Sequence, residues 1–169
     1  MFGPVGELIE TERLILEPLA LHHAEEMVGV LGDPELHAFI GGAPATLPEL
    51  RARYERLAAG PAPYHQESWL NWIVRRRKDD QAVGTVQATV SPAPGGPRAS
   101  VAWIIGTPFQ GEGSAREAAA GLVRWLRANS VTRILASIHP ENLASAGVAR
   151  GIGLHPTDEY AEDQVVWRG

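Results

Sequence analysis

A chain of 169 residues, 44% apolar and 21% charged, is long and apolar enough to bury the core of one globular domain, and residues 1–169 are expected to form one. Lys and Arg number 15 against 20 Asp and Glu, and this formal net charge of −5 is a poor balance for binding nucleic acid or an anionic membrane. Cysteine is absent, which excludes disulfides, thiolate metal sites and a cysteine nucleophile, and no apolar run reaches the length that spans a bilayer.

The first residues, Met1-Phe2-Gly3-Pro4-Val5-Gly6-Glu7, lack a basic region followed by an apolar stretch, so no signal peptide is expected and the default compartment is the cytoplasm. Thr11 to Glu17 has the pattern of a short strand, ended by Pro18. Leu19 to Leu31 places Leu21, Ala24, Met27, Val28 and Leu31 on one helical face. Asp33-Pro34 starts a new turn, because Asp caps well and Pro suits a first helical position. Gly41-Gly42-Ala43-Pro44 breaks the pattern. Pro48 to Ala59 is a helix with Leu50, Tyr54 and Leu57 in register, ended by Gly60-Pro61-Ala62-Pro63.

The period then changes to that of strands. Trp69 to Arg75 and Ala82 to Val90 flank a charged turn, Arg76-Arg77-Lys78-Asp79-Asp80, expected to be a solvated hairpin tip. Ser91 to Pro97 is a loop by composition, and Ala99 to Ile105 is a third strand, which suggests an antiparallel meander. Gly113 to Ala128 is amphipathic, with Ala115, Ala118, Leu122, Trp125 and Leu126 along an apolar stripe. Glu112 and Glu117 near its start and Arg124 and Arg127 near its end suit the helix dipole, and Asn129 is expected as a left-handed stop. Arg133 to Ile138 is a further strand, Asn142 to Arg150 a helix ended by Gly151 or Gly153, and Gln164 to Trp167 a last strand. A strand, crossover helix and strand from 101 to 138 predict a right-handed unit with two parallel strands.

The informative turn is Pro108-Phe109-Gln110-Gly111-Glu112-Gly113-Ser114-Ala115-Arg116. Gly111 and Gly113 remove side chains where a ligand could approach, and the turn feeds a helix N-terminus whose first amides have no intrahelical partner. Such a place suits phosphate, although two glycines alone also describe a tight turn. A dinucleotide loop would need a third glycine where Arg116 stands and an acidic residue about 20 positions on, and Val131 to Ile138 holds none. No Gly-Lys-Ser/Thr triplet exists for a nucleotide-triphosphate loop. The six His form no His-x-x-x-His pair for zinc, and Leu143-Ala144-Ser145-Ala146-Gly147 lacks the first glycine of a nucleophile elbow.

Gln110-x-x-Gly113-x-Ala115 resembles the pyrophosphate loop, Gln/Arg-x-x-Gly-x-Gly/Ala, of the GCN5-related N-acetyltransferases. Trp103-Ile104-Ile105 resembles that family's splayed strand. His139-Pro140-Glu141-Asn142-Leu143-Ala144-Ser145, with Val148-Ala149 and Gly153-Leu154, resembles the segment after the next strand, and Thr11-Glu12-Arg13-Leu14-Ile15-Leu16 the first strand of the ribosomal-protein-alanine acetyltransferase-like branch. The resemblance implies an α/β (α+β) fold: a mixed, mostly antiparallel twisted sheet, split like a V between two central parallel strands, 101–105 and 133–138, and flanked by helices. It implies acetyl-CoA as cofactor, with main-chain groups of Trp103, Ile104 and Ile105 on the pantetheine arm and Gln110, Gly111, Glu112, Gly113, Ser114 and Ala115 around the pyrophosphate. Arg116 is a candidate for a further phosphate contact, or a solvated helix arginine.

By the same resemblance the Asn142 side chain meets the pantetheine arm, although an Asn there is also a good helix N-cap. Both roles coexist only if its oxygen and amide divide the work. Ser145, one turn on, is the position from which a hydroxyl contacts the cofactor or protonates the leaving thiolate; relatives use Tyr nearby, and no Tyr occurs between Val101 and His155. With no cysteine and no elbow, direct transfer in a ternary complex is favoured. A general base is not singled out among Glu141, His139, Glu67 and His37. An α-amino group titrates near about 8 and needs one less than a lysine near about 10.4. Trp103 and Trp125 fit core positions, whereas Trp69 and Trp72 lie on opposite faces of their strand, so that one of them could reach the acceptor. The acceptor pocket is expected from about Leu21 to Leu57 and the final hairpin. A protein N-terminus or a small amine both suit it, no nucleic acid or membrane partner is expected, and relatives often form homodimers. A non-catalytic acyl-CoA-binding module on the same fold is the alternative.

Overall fold

The structure, a computed structural model, describes residues 4–39, 42–62 and 66–169. Gly41 and Pro63 of the expected chain breaks, and Met1 to Gly3, lie outside the described residues. The strands are β1 (Ile9–Glu10), β2 (Leu14–Pro18), β3 (Ser68–Arg76), β4 (Gln81–Ser91), β5 (Arg98–Ile105), β6 (Arg133–Ile138), β7 (His155–Ala161) and β8 (Gln164–Arg168). They form one eight-stranded sheet in the order β1-β2-β3-β4-β5-β6-β8-β7, antiparallel except for the β5/β6 pair. The expected meander is β3, β4 and β5, and the charged turn 76–80 joins β3 to β4.

Helix α1 (Ala24–Val30) and α2 (Leu47–Ala59) cover one face, α3 (Ser114–Ala128) and α4 (Leu143–Gly151) the other. The main core lies under α3, where Ala118, Leu122 and Leu126 pack on Leu16, Val74, Val86 and Val101. Each fully buried Leu here contributes roughly 1.5–3 kcal/mol of transfer free energy. Across the sheet, Met27, Leu50, Tyr54 and Ile73 form a second cluster. A capping box starts α2: Thr46 Oγ1 accepts the Glu49 N–H (3.3 Å), and the Thr46 N–H donates to Glu49 Oε1 (3.0 Å).

Several expectations change. The single helix over 19–31 is a short 3-10 turn, Leu21–His23, followed by α1. Asn129 does not adopt the left-handed conformation. Its φ is −100°, its Nδ2 donates to the Trp125 carbonyl (2.9 Å), and Ser130 (φ 66°) makes the left-handed step one residue later. The first strand of the final hairpin, β7, has no pattern of its own in the sequence: its residues are mostly exposed and show no alternation, and it forms by pairing with β8. Trp72 is fully buried and donates from Nε1 to the Glu7 carbonyl (2.8 Å), whereas Trp125 is only half-buried, packed edge-on to Trp72 (5.3 Å, 74°).

Candidate active site

The site follows from where two strands part. Pairing of β5 with β6 runs through Arg98↔Arg133, Ala99↔Ile134 and Ser100↔Leu135 and stops there, although β5 continues to Ile105 and β6 to Ile138. Beyond that point β5 stays paired with β4 up to Gly84↔Ile105, and β6 stays paired with β8 up to Ile138↔Val165. The two strands are held by their outer neighbours, and their facing edges open into a cavity of about 760 Å³. That size lies within the usual range for small-molecule and cofactor sites.

At one end of the cavity is the glycine turn. Gly111 and Gly113 both have φ of 82°, in the left-handed region that disfavours side chains. Gly113 is the N-cap of α3, so the amides of the first turn, Ser114 to Arg116, have no carbonyl partner within the helix. Ser114 is buried and lines the cavity. The Gln110 side chain folds back, its Nε2 donating to the Ile105 carbonyl (2.9 Å), which ties the turn to the end of β5. An anion would meet several aligned N–H groups here.

Most of the residues picked from the sequence meet in this one cavity: Trp103, Ile104 and Ile105 of β5, Gln110, Gly111, Gly113, Ser114, Ala115 and Arg116 of the turn and α3, and Asn142 and Ser145 at the start of α4. Glu112 is the exception. Its carboxylate turns outward to Arg76 (2.9 Å). Asn142 caps α4, its Oδ1 accepting the Ser145 N–H (3.2 Å), while its Nδ2 makes no hydrogen bond to the described residues. The cap uses the oxygen, so a ligand contact by this side chain would fall to the amide.

Of the four base candidates, His139 alone lines the cavity; Glu141, Glu67 and His37 do not. His139 is committed already. Its Nδ1 accepts the Glu141 N–H (3.1 Å), so the neutral ring carries its proton on Nε2, which faces the Asp163 carboxylate at 3.8 Å. Neither nitrogen keeps a lone pair for an incoming amine. Trp69 and Trp72 do not line the cavity either; the Trp69 Nε1 donates to Glu67 (2.8 Å). Away from the glycine turn the cavity is lined by Glu35, Leu36 and Phe39, from the 3-10 turn Pro34–His37 and the residues after it, by Thr85 and Gln87 of β4, and by Gln164 of β8; the first three fall within the expected stretch 21–57 but between its helices rather than on them. Glu35 was missed because a carboxylate on so short a turn has no periodic signal; the Asp33 cap that positions it, accepting the Glu35 N–H (2.9 Å), was legible.

Among the described residues no group of three or more His, Cys, Asp or Glu could hold a metal, and no helix is long and apolar enough to cross a membrane. The model of the acetyltransferase (GNAT) domain family matches residues 13–155. No curated protein matches the chain. Solved structures do. The GNAT-family acetyltransferase of Bacillus anthracis is similar with a TM-score of 0.77 at 18% identity, covering 96% of this chain and 98% of its own. A protein assigned as a ribosomal-protein-serine acetyltransferase from Vibrio cholerae is similar with a TM-score of 0.74 at 20% identity, covering 100% and 99%. The microcin C7 self-immunity acetyltransferase MccE, solved in complex with acetyl-CoA and AMP, is similar with a TM-score of 0.74 at 15% identity, covering 94% and 93%. Because the family model takes in most of the chain, with strands β2 to β6, both sides of the strand split and the glycine turn, the chain belongs to the GNAT acetyltransferases, enzymes whose acetyl donor is acetyl-CoA.

Proposed function

We propose that residues 1–169 form one N-acetyltransferase domain that moves the acetyl group of acetyl-CoA directly to a primary amine within a ternary complex. The observation that carries this is the continuity of a single cavity from the amides at the α3 N-terminus, along the unpaired edges of β5 and β6, to the polar slot at Glu35, Gln87 and Gln164. When bound, acetyl-CoA supplies an activated thioester carbonyl and a thiolate leaving group.

The chain's own groups have separable tasks. The amides of Gly111 to Ala115 and the Ser114 hydroxyl hold the pyrophosphate, and Arg116 stands at the same mouth. Main-chain groups of Trp103 to Ile105 offer the pantetheine arm the partners that β6 gives up, and Asn142 Nδ2 adds a donor from the other side. An N–H there aimed at the reacting carbonyl oxygen stabilises developing negative charge by roughly 3 kcal/mol. The Ser145 hydroxyl, half-buried one turn into α4, solvates or protonates the departing sulfur. On the acceptor side, Glu35 is the carboxylate that lines the cavity and attracts the ammonium form of the acceptor. Because His139 is committed, the proton leaves through water, which suits an amine titrating near about 8 better than a lysine near about 10.4. That, with the Vibrio cholerae neighbour, supports a protein N-terminus over a lysine side chain as acceptor.

Calorimetric titration with acetyl-CoA, then free-thiol release with a panel of N-terminal peptides and small amines, tests the reading. Binding together with thiol release on an α-amine supports it. Binding without turnover on any amine would leave an acyl-CoA-binding module instead.

A further inference from the structure

The glycine turn does not hold its shape alone. Arg13, immediately before β2 and about a hundred residues away in sequence, reaches over it. The Arg13 guanidinium donates from Nη1 to the Glu112 main-chain carbonyl (2.8 Å) and from Nε to Glu117 Oε1 (2.7 Å). The Glu117 carboxylate, in the first turn of α3, also accepts the Arg13 N–H (2.8 Å) and the Thr11 hydroxyl (2.5 Å) on Oε2. The remaining nitrogen, Nη2, lies 3.2 Å from where a Cβ on Gly113 would stand. The peptide between two left-handed glycines is thus fastened on one side to a strand and on the other to the helix it feeds. Burial alone would push the Glu117 carboxyl up, yet its bonds to Thr11 and Arg13 hold it below the usual carboxylate range.

We infer that Arg13 is a positioning residue for the phosphate cradle: by bonding the Glu112 carbonyl and Glu117 together, it holds residues 111–113 in the one conformation that presents their amides to an anion. This rests on the acetyl-CoA reading above. The Arg13 side chain is about half exposed, so its charge is screened and a simple ion pair would contribute little. What it supplies is a forked geometry that lysine does not have. A loop with two residues of left-handed φ has many other conformations open to it, and each lowers the population competent to bind phosphate.

The test compares two donors on the intact protein by calorimetry: acetyl-CoA, and acetyl-pantetheine, which lacks the pyrophosphate. In Arg13→Ala, Kd for acetyl-CoA rises at least fivefold while the shift for acetyl-pantetheine is under twofold, so the preference for the full donor narrows. Arg13→Lys recovers less than half of the loss, and Glu117→Gln reproduces part of it without adding to Arg13→Ala in the double variant. Thermal melts establish that each variant is folded. Equal loss for both donors would overturn the proposal, because a general structural role does not distinguish them. Full recovery by lysine would also overturn it, since charge alone would then suffice. Failure of the unsubstituted protein to bind acetyl-CoA would instead sink the function on which this role rests.

Discussion

Gly111→Ala isolates the contribution of backbone conformation to the phosphate cradle. A Cβ at this position meets nothing within 4 Å, so no collision complicates the result, and the whole effect comes from a φ of 82° that an alanine occupies at a cost of about 1–2 kcal/mol. That cost divides between two measurable quantities. If the turn keeps its shape, folding stability falls by about 1–2 kcal/mol, a drop in Tm of roughly 2–8 °C for a chain of this size. If the turn relaxes instead, stability is spared and the binding-competent conformer becomes rare, so that Kd for acetyl-CoA rises roughly 5- to 30-fold. The two losses sum to the same total, because the complex must contain the left-handed residue in either case. Calorimetry with acetyl-CoA and urea unfolding on one preparation measure both. Gly113→Val should exceed the alanine variant, since a β-branched residue is poorer still at positive φ and its Cβ lies 3.2 Å from the Arg13 guanidinium. A Gly111→Ala protein with Kd within twofold and unaltered stability would refute the claim that this conformation holds the anion.

Ser145→Ala should lower turnover by tenfold or more with little change in the KM for acetyl-CoA, measured by thiol release; equal changes in both would reduce Ser145 to a contact. His23 is buried, its Nδ1 accepts the Ala20 N–H (2.9 Å), and burial and then the neighbouring His22 lower its pKa from 6.5. The unfolded chain therefore takes up this proton first, so stability should be full above about pH 6.5 and decline as the pH falls toward the lower native value; urea midpoints between pH 7.5 and 5.5 should show that slope, and His23→Gln should flatten it. Leu122→Ala under α3 should cost about 2–5 kcal/mol, read from the same unfolding curves. Gly84→Ala should cost both stability and acetyl-CoA affinity, because its Cβ would lie 2.1 Å from the Ile104 carbonyl oxygen; a variant with native melting and native Kd would show that β5 is not fixed from this side.

The sequence made the local parts legible and left the distant ones hidden. The α3 stripe, the hairpin tip at 76–80 and the caps at Asp33 and Asn142 all depend on residues a few positions apart, and all are in the structure. The parallel pair followed from the crossover connection of a strand-helix-strand unit. β7 was invisible because His155 to Ala161 shows no alternation and forms only when β8 is beside it. α3 ends at Ala128 as expected, but the left-handed step after it was misplaced by one residue, because the Asn129 side chain turned back to the Trp125 carbonyl and left that step to Ser130. Within the site, glycine spacing pointed to the cradle, but nothing in the sequence links Thr11 and Arg13 to Glu117 across 104 to 106 positions. Glu35 reaches the cavity through a single short turn, and the Nδ1 of His139 is taken up by a main-chain N–H two residues on.

A split between parallel strands needs a cause, since each unpaired main-chain group costs free energy unless something replaces the lost bond. Here the strands are pulled to opposite sides. β5 is fastened at its end: the Gly106 N–H donates to the Val83 carbonyl (2.8 Å), a Cβ on Gly106 would lie 2.7 Å from the Val30 carbonyl, and one on Gly84 would strike Ile104. Two glycines thus let β4 and the end of α1 close on the last residues of β5. β6 is drawn the other way by four consecutive pairs with β8, from Leu135↔Arg168 to Ile138↔Val165. An antiparallel ladder on its far edge is slightly the stronger of the two, so β6 follows β8 where it cannot follow both neighbours. The facing edges are left with main-chain donors and acceptors at strand spacing and no strand between them. A molecule with amide groups along an extended arm and an anionic diphosphate at one end matches both halves of that vacancy, and the same divergent pairing that opens the cleft selects what can fill it.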